Sequence, residues 1–222
     1  MVELIPVTDP TAGATRSDFD AVVAVGPIDG FSKWPEVDAQ LQRIAKIDAE
    51  AGTRVTLHTV PEVAGGRLVI APVKSLDHDT DDVRCFGDAA AQGVLRARDA
   101  GARRPLLLLG ASPARDDFAH TLEVSLLGAA GSLWQPLEAR EARGVSTVEP
   151  VEAIGFASGG DGERVARWVH AVESGRRLAR DLGGTEPERM APPRFAELCE
   201  QAFAGTAVKT EIVADPDTLL EA

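Results

Sequence analysis

The segment DDVRCFGDAAAQGVLRARDAGARRPLLLL, residues 81–109, contains the two patterns that decide the fold. Apolar residues recur at helical spacing in its first part: Val83, Phe86, Ala90 and Val94. This spacing predicts a helix from Asp81 to Ala100 with one face toward a core, and Gly101 suits the end of that helix. The apolar run from Pro105 to Leu109 predicts a strand buried on both faces. A helix leading into a buried strand is typical of an α/β sheet.

The same alternation continues on both sides of this segment. Short apolar runs predict strands at 19–25, 55–60, 67–71, 133–137, 151–156 and 208–213. Longer segments of helical period predict helices at 36–50, 116–130, 163–182 and from Pro192 onward. We therefore predict an α/β fold with a mixed sheet flanked by helices.

Three local details of these elements are predicted as well. The glycines of the segment 61–66 allow a tight hairpin between two strands. The helix 36–50 would bury Val37, Leu41, Ile44 and Ile47 and end near Gly52, and the helix 163–182 would bury Val165, Trp168, Val172 and Leu178. Asp215 would begin a last helix as its N-cap.

Charge and composition favour some classes of protein and disfavour others. The 222 residues include 44% hydrophobic side chains, enough to fill a core, and no apolar run approaches the length of a membrane span. The formal net charge of −12 would repel a nucleic acid backbone. The amino terminus has no basic region followed by a long apolar stretch, so a cytoplasmic location is expected.

For each set of residues that could bind a ligand or take part in catalysis, a structural role is the better interpretation. Cys85 and Cys199 lie far apart without metal-ligand spacing, and the four histidines, at 58, 78, 120 and 170, are scattered. The acidic segment 77–82 could bind a divalent cation, but Asp79 or Thr80 as a helix cap explains it better. The glycine segments 26–30 and 155–160 match no phosphate-binding motif and are interpreted as turns.

The stretch Ala179-Arg-Asp-Leu-Gly-Gly-Thr-Glu-Pro-Glu-Arg-Met-Ala-Pro-Pro-Arg-Phe195, called the junction below, is the most specific motif. It resembles the junction between the N-terminal and catalytic domains in the leucyl (cytosol) aminopeptidase family. Three upstream segments extend the resemblance: Gly65-Gly-Arg-Leu-Val-Ile-Ala-Pro72, Asp81-Asp-Val-Arg84 and Arg103-Arg-Pro-Leu-Leu-Leu-Leu109. The resemblance implies a macro-domain-like N-terminal domain at 1–160, an interdomain helix at 161–183 and an incomplete start of the catalytic domain at 184–222.

The family resemblance also implies the chemistry of a parent enzyme. Family members release N-terminal amino acids from peptides with two zinc or manganese ions, and they are typically hexamers. Their Asn-Thr-Asp-Ala-Glu-Gly-Arg motif does not occur in these residues. We therefore assign no catalytic, metal-binding or cofactor-binding residue here, and we expect an assembly or regulatory role.

Two alternatives remain open at the level of sequence. Because the N-terminal domains of the family resemble macro domains in fold, this chain could be a standalone module that binds a nucleotide or ADP-ribose. It could also be a non-catalytic interaction protein. The alternating segment Val208–Val213 favours a portion of an aminopeptidase over both alternatives. A strand needs neighbours in a sheet, and an incomplete domain cannot supply all of them.

Overall fold

A six-stranded mixed sheet is the centre of the fold. The computed structural model describes residues 1–9, 17–74, 76, 78–144 and 149–217. The strands are β1 (Glu3–Val7), β2 (Ala21–Gly26), β3 (Thr56–Thr59), β4 (Arg67–Pro72), β5 (Pro105–Leu109) and β6 (Ala153–Ala157). Their order across the sheet is β1-β6-β5-β2-β4-β3, and every neighbouring pair is parallel except the antiparallel pair of β3 and β4. The predicted α/β fold with a mixed sheet is confirmed.

Six helices accompany the strands in the described residues. They are α1 (Pro35–Ile47), α2 (Arg84–Asp99), α3 (Thr121–Ser132), α4 (Leu137–Arg143), α5 (Gly162–Gly184) and α6 (Pro192–Phe203). Short 3-10 turns occur at Ala64–Gly66 and Asp116–Phe118. None of the described helices is long and apolar enough to cross a membrane.

The sheet is covered by helices on both faces. Alternate residues of β2 point to opposite sides, so Val23 joins the apolar cluster of α2, α3 and α5, whereas Val22 joins the cluster of α1. All six residues of β2 are buried. This arrangement explains why β2 and β5 are continuous apolar runs in the sequence.

The hairpin predicted around the segment 61–66 is confirmed. The strands β3 and β4 pair with His58 opposite Leu68, and Gly65 and Gly66 have φ angles of 62° and 68°. These angles lie in the left-handed region, where residues with a Cβ are strained. Glycine is therefore required for the turn that enters β4.

The end of α1 differs from the prediction. Val37, Leu41 and Ile44 are buried as expected, but Ile47 is 87% exposed. The helix ends at Ile47, and the Asp48 carboxylate accepts a hydrogen bond of 2.9 Å from the Glu50 N–H. An aspartate that binds nearby backbone in this way competes with helix continuation. The predictions for Ile47 and for Gly52 as the helix stop were wrong.

The helix predicted at 116–130 is divided into two parts. A 3-10 turn covers Asp116–Phe118, and α3 begins at Thr121, whose hydroxyl donates a hydrogen bond of 2.6 Å to the Phe118 carbonyl. The strand predicted at 133–137 was wrong. Leu133 is the C-cap residue of α3, and Pro136 directly precedes α4.

The buried stripe of α5 also differs from the prediction. Val165, Val169 and Glu173 are buried at i, i+4 and i+8, whereas Trp168 is 47% exposed. A shift of one residue rotates a side chain by about 100° around a helix, which carries Trp168 off this stripe. Trp168 was wrongly predicted to be a core residue.

The chain divides into two units by its internal contacts. The first unit comprises Met1–Gln135 and Thr147–Ser174, and the second comprises Pro136–Ser146 and Gly175–Ala222. The family-based domain limits at 1–160, 161–183 and 184–222 remain a prediction.

Ion pairs organise the second unit around the junction. Arg140 of α4 lies 2.5 Å from Asp181 of α5, and the Arg189 guanidinium pairs with Glu141 and Glu138 of α4. The Glu138 carboxylate also accepts a hydrogen bond of 3.0 Å from the Glu186 N–H. The turn between α5 and α6 is therefore fastened to α4.

The end of the second unit presents apolar side chains to solvent. The strand predicted at Val208–Val213 was wrong, because this segment has no regular structure and pairs with no strand in the described part of the chain. Val208, Ile212 and Val213 are 42–52% exposed. Most of the helix predicted to begin at Asp215 falls on residues outside those described.

Candidate functional site

A cleft of about 470 Å³ lies at the carboxyl ends of the parallel strands in the first unit. Its lining residues follow β1, β6 and β5, precede α1, or begin α3. They are Thr8, Lys33, Trp34, Leu109, Gly110, Ser112, Phe118, Ala119, Thr121, Leu122, Ala157, Ser158 and Gly159. The chain leaves β2 toward α1 on one face and leaves β5 toward α3 on the other. The cleft therefore occupies the crevice where open α/β sheets usually bind ligands.

The loops after β2 and β5 are held together beside the cleft. The Ala111 N–H donates a hydrogen bond of 2.7 Å to the Gly30 carbonyl, and the Trp34 indole donates one of 3.1 Å to the Leu109 carbonyl. A Cβ on Gly26 would lie 3.1 Å from the Gly110 Cα. These contacts hold the two loops in place, so the floor of the cleft is already formed without a ligand.

The turn after β6 presents backbone and a hydroxyl group at the other side. The Ser158 N–H donates a hydrogen bond of 3.0 Å to the Val7 carbonyl. The Ser158 Oγ is buried and has no hydrogen-bond partner among the described residues. A Cβ on Gly162, the first residue of α5, would lie 2.2 Å from that oxygen. Ser158 thus packs directly against the amino end of α5.

An apolar wall is formed at the start of α3. The Phe118 ring contacts Phe86 edge to face at 6.1 Å, and the Arg115 guanidinium lies 4.9 Å from its centroid. Arg115 also pairs with Asp117 at 2.6 Å, which lowers the pKa of the Asp117 carboxyl below its usual value. Arg115 therefore balances the negative charge of the Asp117 carboxylate beside this wall.

The lining of the cleft suits binding better than acid-base catalysis. Its polar groups are the hydroxyls of Thr8, Ser112, Thr121 and Ser158, the ammonium of Lys33 and backbone groups. No histidine, cysteine, aspartate or glutamate occurs among the lining residues that the structure describes. Among the described lining residues, Lys33 is the side chain that could act as a general acid or base.

The acidic segment 77–82 is arranged around the start of α2. Asp77 lies outside the described residues. The Asp82 carboxylate accepts a hydrogen bond of 2.8 Å from the Arg84 N–H and pairs with the Arg84 side chain, which lowers the pKa of that carboxyl. The residue that directly precedes α2 is Val83, and Asp82 before it binds the Arg84 N–H, so the capping role predicted for Asp79 or Thr80 was wrong. The described ranges contain no group of three or more His, Cys, Asp or Glu side chains that could hold a metal.

None of the histidines and cysteines is among the described lining residues of the cleft. His58 is half-buried in β3, where its Nε2 is 2.9 Å from the Thr56 hydroxyl and burial lowers its pKa below the usual value. His120 precedes α3 with its Nδ1 3.6 Å from Glu123, and His170 is exposed on α5. Burial raises the pKa of the Cys85 thiol, and both cysteines are free.

The glycines of the segment 155–160 have two different roles in the structure. Gly155 lies inside β6, where a Cβ would be 2.3 Å from the Phe19 ring, so it is a packing residue. Gly159 and Gly160 form the turn before α5, as predicted, and a Cβ on either residue would meet open space. Sequence reasoning missed Lys33, Trp34 and Ser112. The available signal was their position after predicted strands.

Comparisons with known proteins agree with the resemblance stated from the junction. No family model matches the chain. A Caenorhabditis elegans protein whose name describes it as a candidate aminopeptidase is 31% identical in an alignment of 212 positions that covers 91% of this chain and 40% of that protein. A mutant of tomato leucine aminopeptidase shares the fold with a TM-score of 0.68 and 14% identity, over 90% of this chain and 42% of that one.

A second solved structure supports the same fold. The bottromycin maturation enzyme BotP matches with a TM-score of 0.55 and 19% identity, over 81% of this chain and 36% of that one. This chain spans about two-fifths of the length of the proteins that it matches. The comparisons agree with the suspected resemblance over this part of those proteins.

Proposed function

On the premise that the chain is related to the N-terminal part of leucyl aminopeptidases, we propose that it is the assembly or regulatory portion of a metal-dependent aminopeptidase. The parent enzyme releases N-terminal amino acids from peptides. The alignment with the Caenorhabditis elegans protein carries this proposal, since it covers 91% of the chain at 31% identity. The tomato enzyme supports the fold over a similar share of the chain.

The structure of the junction is consistent with a connection to further chain. Arg189 and Glu186, both within the junction, are bound to α4 by an ion pair and a backbone hydrogen bond. The following segment contains Val208, Ile212 and Val213, whose side chains are 42–52% exposed. Contact with further residues of the parent enzyme would cover these apolar side chains.

We assign the metal chemistry to the portion of the parent enzyme that this chain does not include. The family resemblance implies two zinc or manganese ions held by a lysine and several carboxylates. When bound, such ions activate a water molecule and polarise the scissile carbonyl. The described residues provide no cluster that fits these ions, so we derive no catalytic step from them.

The same proposal includes peptide substrates, a homo-oligomeric, hexameric parent enzyme and a cytoplasmic location. The oligomeric state can be measured by light scattering during size-exclusion chromatography of the intact parent. The location remains a prediction that imaging of the tagged parent in its source cells would test.

Hydrolysis of leucine p-nitroanilide by the intact parent tests the proposed activity. We expect hydrolysis that is abolished by a chelator and restored by manganese or zinc. The 222-residue chain alone serves as the control and is expected to be inactive. An intact parent without chelator-sensitive hydrolysis, or an active 222-residue chain, would contradict the proposal.

A second candidate function is that of a standalone nucleotide-binding module of macro-like fold. The cleft at the carboxyl ends of β1, β6 and β5 favours a ligand at this position. Ligand binding by the cleft and attachment to an aminopeptidase are compatible, so they require separate tests. The native length of the protein distinguishes a standalone module from a portion of a larger enzyme.

A further inference from the structure

A second pocket of the first unit, called the hairpin pocket below, has a volume of about 450 Å³. It is lined by residues from the end of the β3–β4 hairpin and from α2. We propose that it binds a short zwitterionic peptide, with the carboxylate at Arg54 and Lys74 and the ammonium group at Asp81 and Asp88. The volume is within the ordinary range for small-molecule sites. The inference does not rest on the aminopeptidase proposal.

Two cationic side chains lie at one end of the hairpin. Arg54 precedes β3 by two residues, and Lys74 follows β4 by two residues. Because β3 and β4 are antiparallel, the start of β3 and the end of β4 lie at the same end of the hairpin. Both residues are exposed, and neither forms an ion pair with a described residue. Their charges are therefore available to an anionic group.

Acidic side chains line the same pocket from α2. Cys85, Asp88 and Gln92 are three and four residues apart, so they share one face of the helix. Asp81 precedes this helix by three residues, and its carboxylate accepts a hydrogen bond of 2.9 Å from the His78 N–H. Asp88 is exposed and forms no ion pair within the described ranges. The pocket thus offers two carboxylates to a cationic group.

Apolar side chains complete the lining. Val73 and Ala89 are 5% and 7% exposed, and Val55 and Leu76 are half-buried against the same core cluster. An aliphatic side chain of a ligand would lose contact with water at this surface, which favours binding.

The charges of both signs identify the kind of ligand. Among the described residues, no ion pair joins the cations of the hairpin end to the carboxylates of α2. A purely anionic ligand would be repelled by Asp81 and Asp88, and a purely cationic ligand by Arg54 and Lys74. A ligand with one charge of each sign avoids both penalties.

The placement of the charges on different elements favours a peptide over a free amino acid. An extended dipeptide holds its terminal charges about 7 Å apart, whereas an amino acid holds them on neighbouring groups. A dipeptide can therefore reach the hairpin end with its carboxylate while its ammonium group remains at α2.

Calorimetric titration of the 222-residue chain with L-leucyl-L-leucine tests the proposal. We expect saturable binding, and binding at least about fivefold weaker for the N-acetylated dipeptide, for the dipeptide amide and for leucine. Equally strong binding of a blocked form would overturn the recognition of both charges, and equally strong binding of leucine would overturn the choice of a dipeptide. The absence of saturable binding at millimolar concentration would overturn the whole proposal. None of these results bears on the aminopeptidase proposal, because the titration measures binding alone.

Substitutions on the two sides locate the site. K74Q and D88N should each weaken binding about two- to fivefold, since each removes one exposed charge. K74Q should also reduce the preference for the dipeptide over its amide, and D88N the preference over the N-acetylated form. The matched controls are K46Q, at an exposed lysine of α1, and D29N, at an exposed aspartate after β2. Both controls should leave binding unchanged.

All four variants should keep the thermal unfolding temperature of the parent chain. Equal effects of the pocket and control substitutions on binding, in folded variants, would overturn the proposed site.

Cys85 provides an independent measurement, because it lines the pocket whereas Cys199 belongs to α6. Saturating dipeptide should slow the alkylation of Cys85 by N-ethylmaleimide at least about threefold and leave Cys199 unaffected. Mass spectrometry of the labelled peptides measures both rates. Unchanged alkylation of Cys85, or equal protection of both cysteines, would overturn the assignment of the peptide to this pocket.

Discussion

At the scale of single residues, the space around each glycine decides which substitutions the first unit tolerates. A Cβ on Gly65 would lie 2.0 Å from the Asp20 carbonyl oxygen, whereas a Cβ on the adjacent Gly66 would have no atom within 4 Å. Both residues have positive φ angles. Substitutions at Gly65 and Gly66 can therefore separate the effect of backbone strain from the effect of steric overlap.

We predict that G66A lowers the free energy of unfolding by about 1 kcal/mol, because only the left-handed backbone is strained. G65A should lower it by more than about 3 kcal/mol, since the overlap with Asp20 adds to that strain. Urea denaturation of the two variants and of the parent chain measures both values. Equal losses would contradict the close approach of the turn to Asp20.

His58 gives a prediction about pH at the same scale. Burial lowers the pKa of His58 in the folded protein below the usual value of about 6.5 in the unfolded chain, although Asp48 partly opposes the shift. The unfolded chain therefore binds more protons between these two values. The contribution of His58 is fully present above about pH 6.5 and is lost as the pH falls through the folded pKa.

Thermal unfolding at about pH 7.5 and about pH 5.5 measures this effect. The loss of stability on acidification should be smaller for H58Q than for the parent chain. H170Q, at an exposed histidine of α5, should behave like the parent chain. If H58Q and H170Q lose the same stability on acidification, the inferred direction of the pKa shift is wrong.

At the scale of elements, α2 and α3 pack closely through two glycines. A Cβ on Gly128 of α3 would lie 2.1 Å from the Gly87 carbonyl oxygen of α2. A Cβ on Gly175 of α5 would have no atom within 4 Å. The same substitution should therefore have opposite effects in the two helices.

We predict that G175A raises the free energy of unfolding by about 0.5–1 kcal/mol, because alanine is the better helix former. G128A should instead lower it by more than about 2 kcal/mol, since the methyl group overlaps α2. Chemical denaturation monitored by circular dichroism distinguishes these signs. Stabilisation by both substitutions would show that α2 and α3 pack less closely than described.

The elements that sequence analysis predicted correctly are those with a strong local pattern. The continuous apolar run of β5 and the regular spacing in α2 depend mainly on burial and periodicity. The predictions that Ile47 and Trp168 are buried failed, because the burial of these side chains depends on where a helix ends and on which of its faces packs against the sheet. The strand prediction for Val208–Val213 failed because a strand requires a pairing partner, which no local pattern can supply.

The candidate site was less predictable than the fold for a related reason. Lys33, Ser112 and Ser158 are separated in sequence, and only the strand order brings them to one edge of the sheet. Sequence analysis identified the glycines of the segment 155–160 but could not tell that Gly155 is a strand residue. The unsatisfied hydroxyl of Ser158 is a property of packing alone.

At the scale of the whole molecule, the second unit is organised by the attachment of the junction to α4. Arg189 pairs with Glu141 and Glu138, whereas Arg194 pairs with Glu197 of the same helix. The Arg189 side chain is 46% exposed, so its removal should have a limited effect on stability. The turn that it fastens is the part that should respond.

We predict that R189A accelerates amide hydrogen exchange in residues 185–191 about two- to fivefold, because opening of that turn becomes easier. R194A, the matched control, should leave exchange in those residues unchanged. Exchange in the strands of the first unit should be the same in both variants. Faster exchange of residues 185–191 in R194A, or unchanged exchange of these residues in R189A, would contradict the role of Arg189.

The central claim is that this chain is a portion of a larger aminopeptidase. The most direct test is the mass of the native protein, purified from its source with an antibody against the first unit. The 222-residue chain has a mass of 23.4 kDa and spans about two-fifths of the length of its relatives. We predict a native product of more than twice that mass, and a native product of 23.4 kDa would contradict the claim.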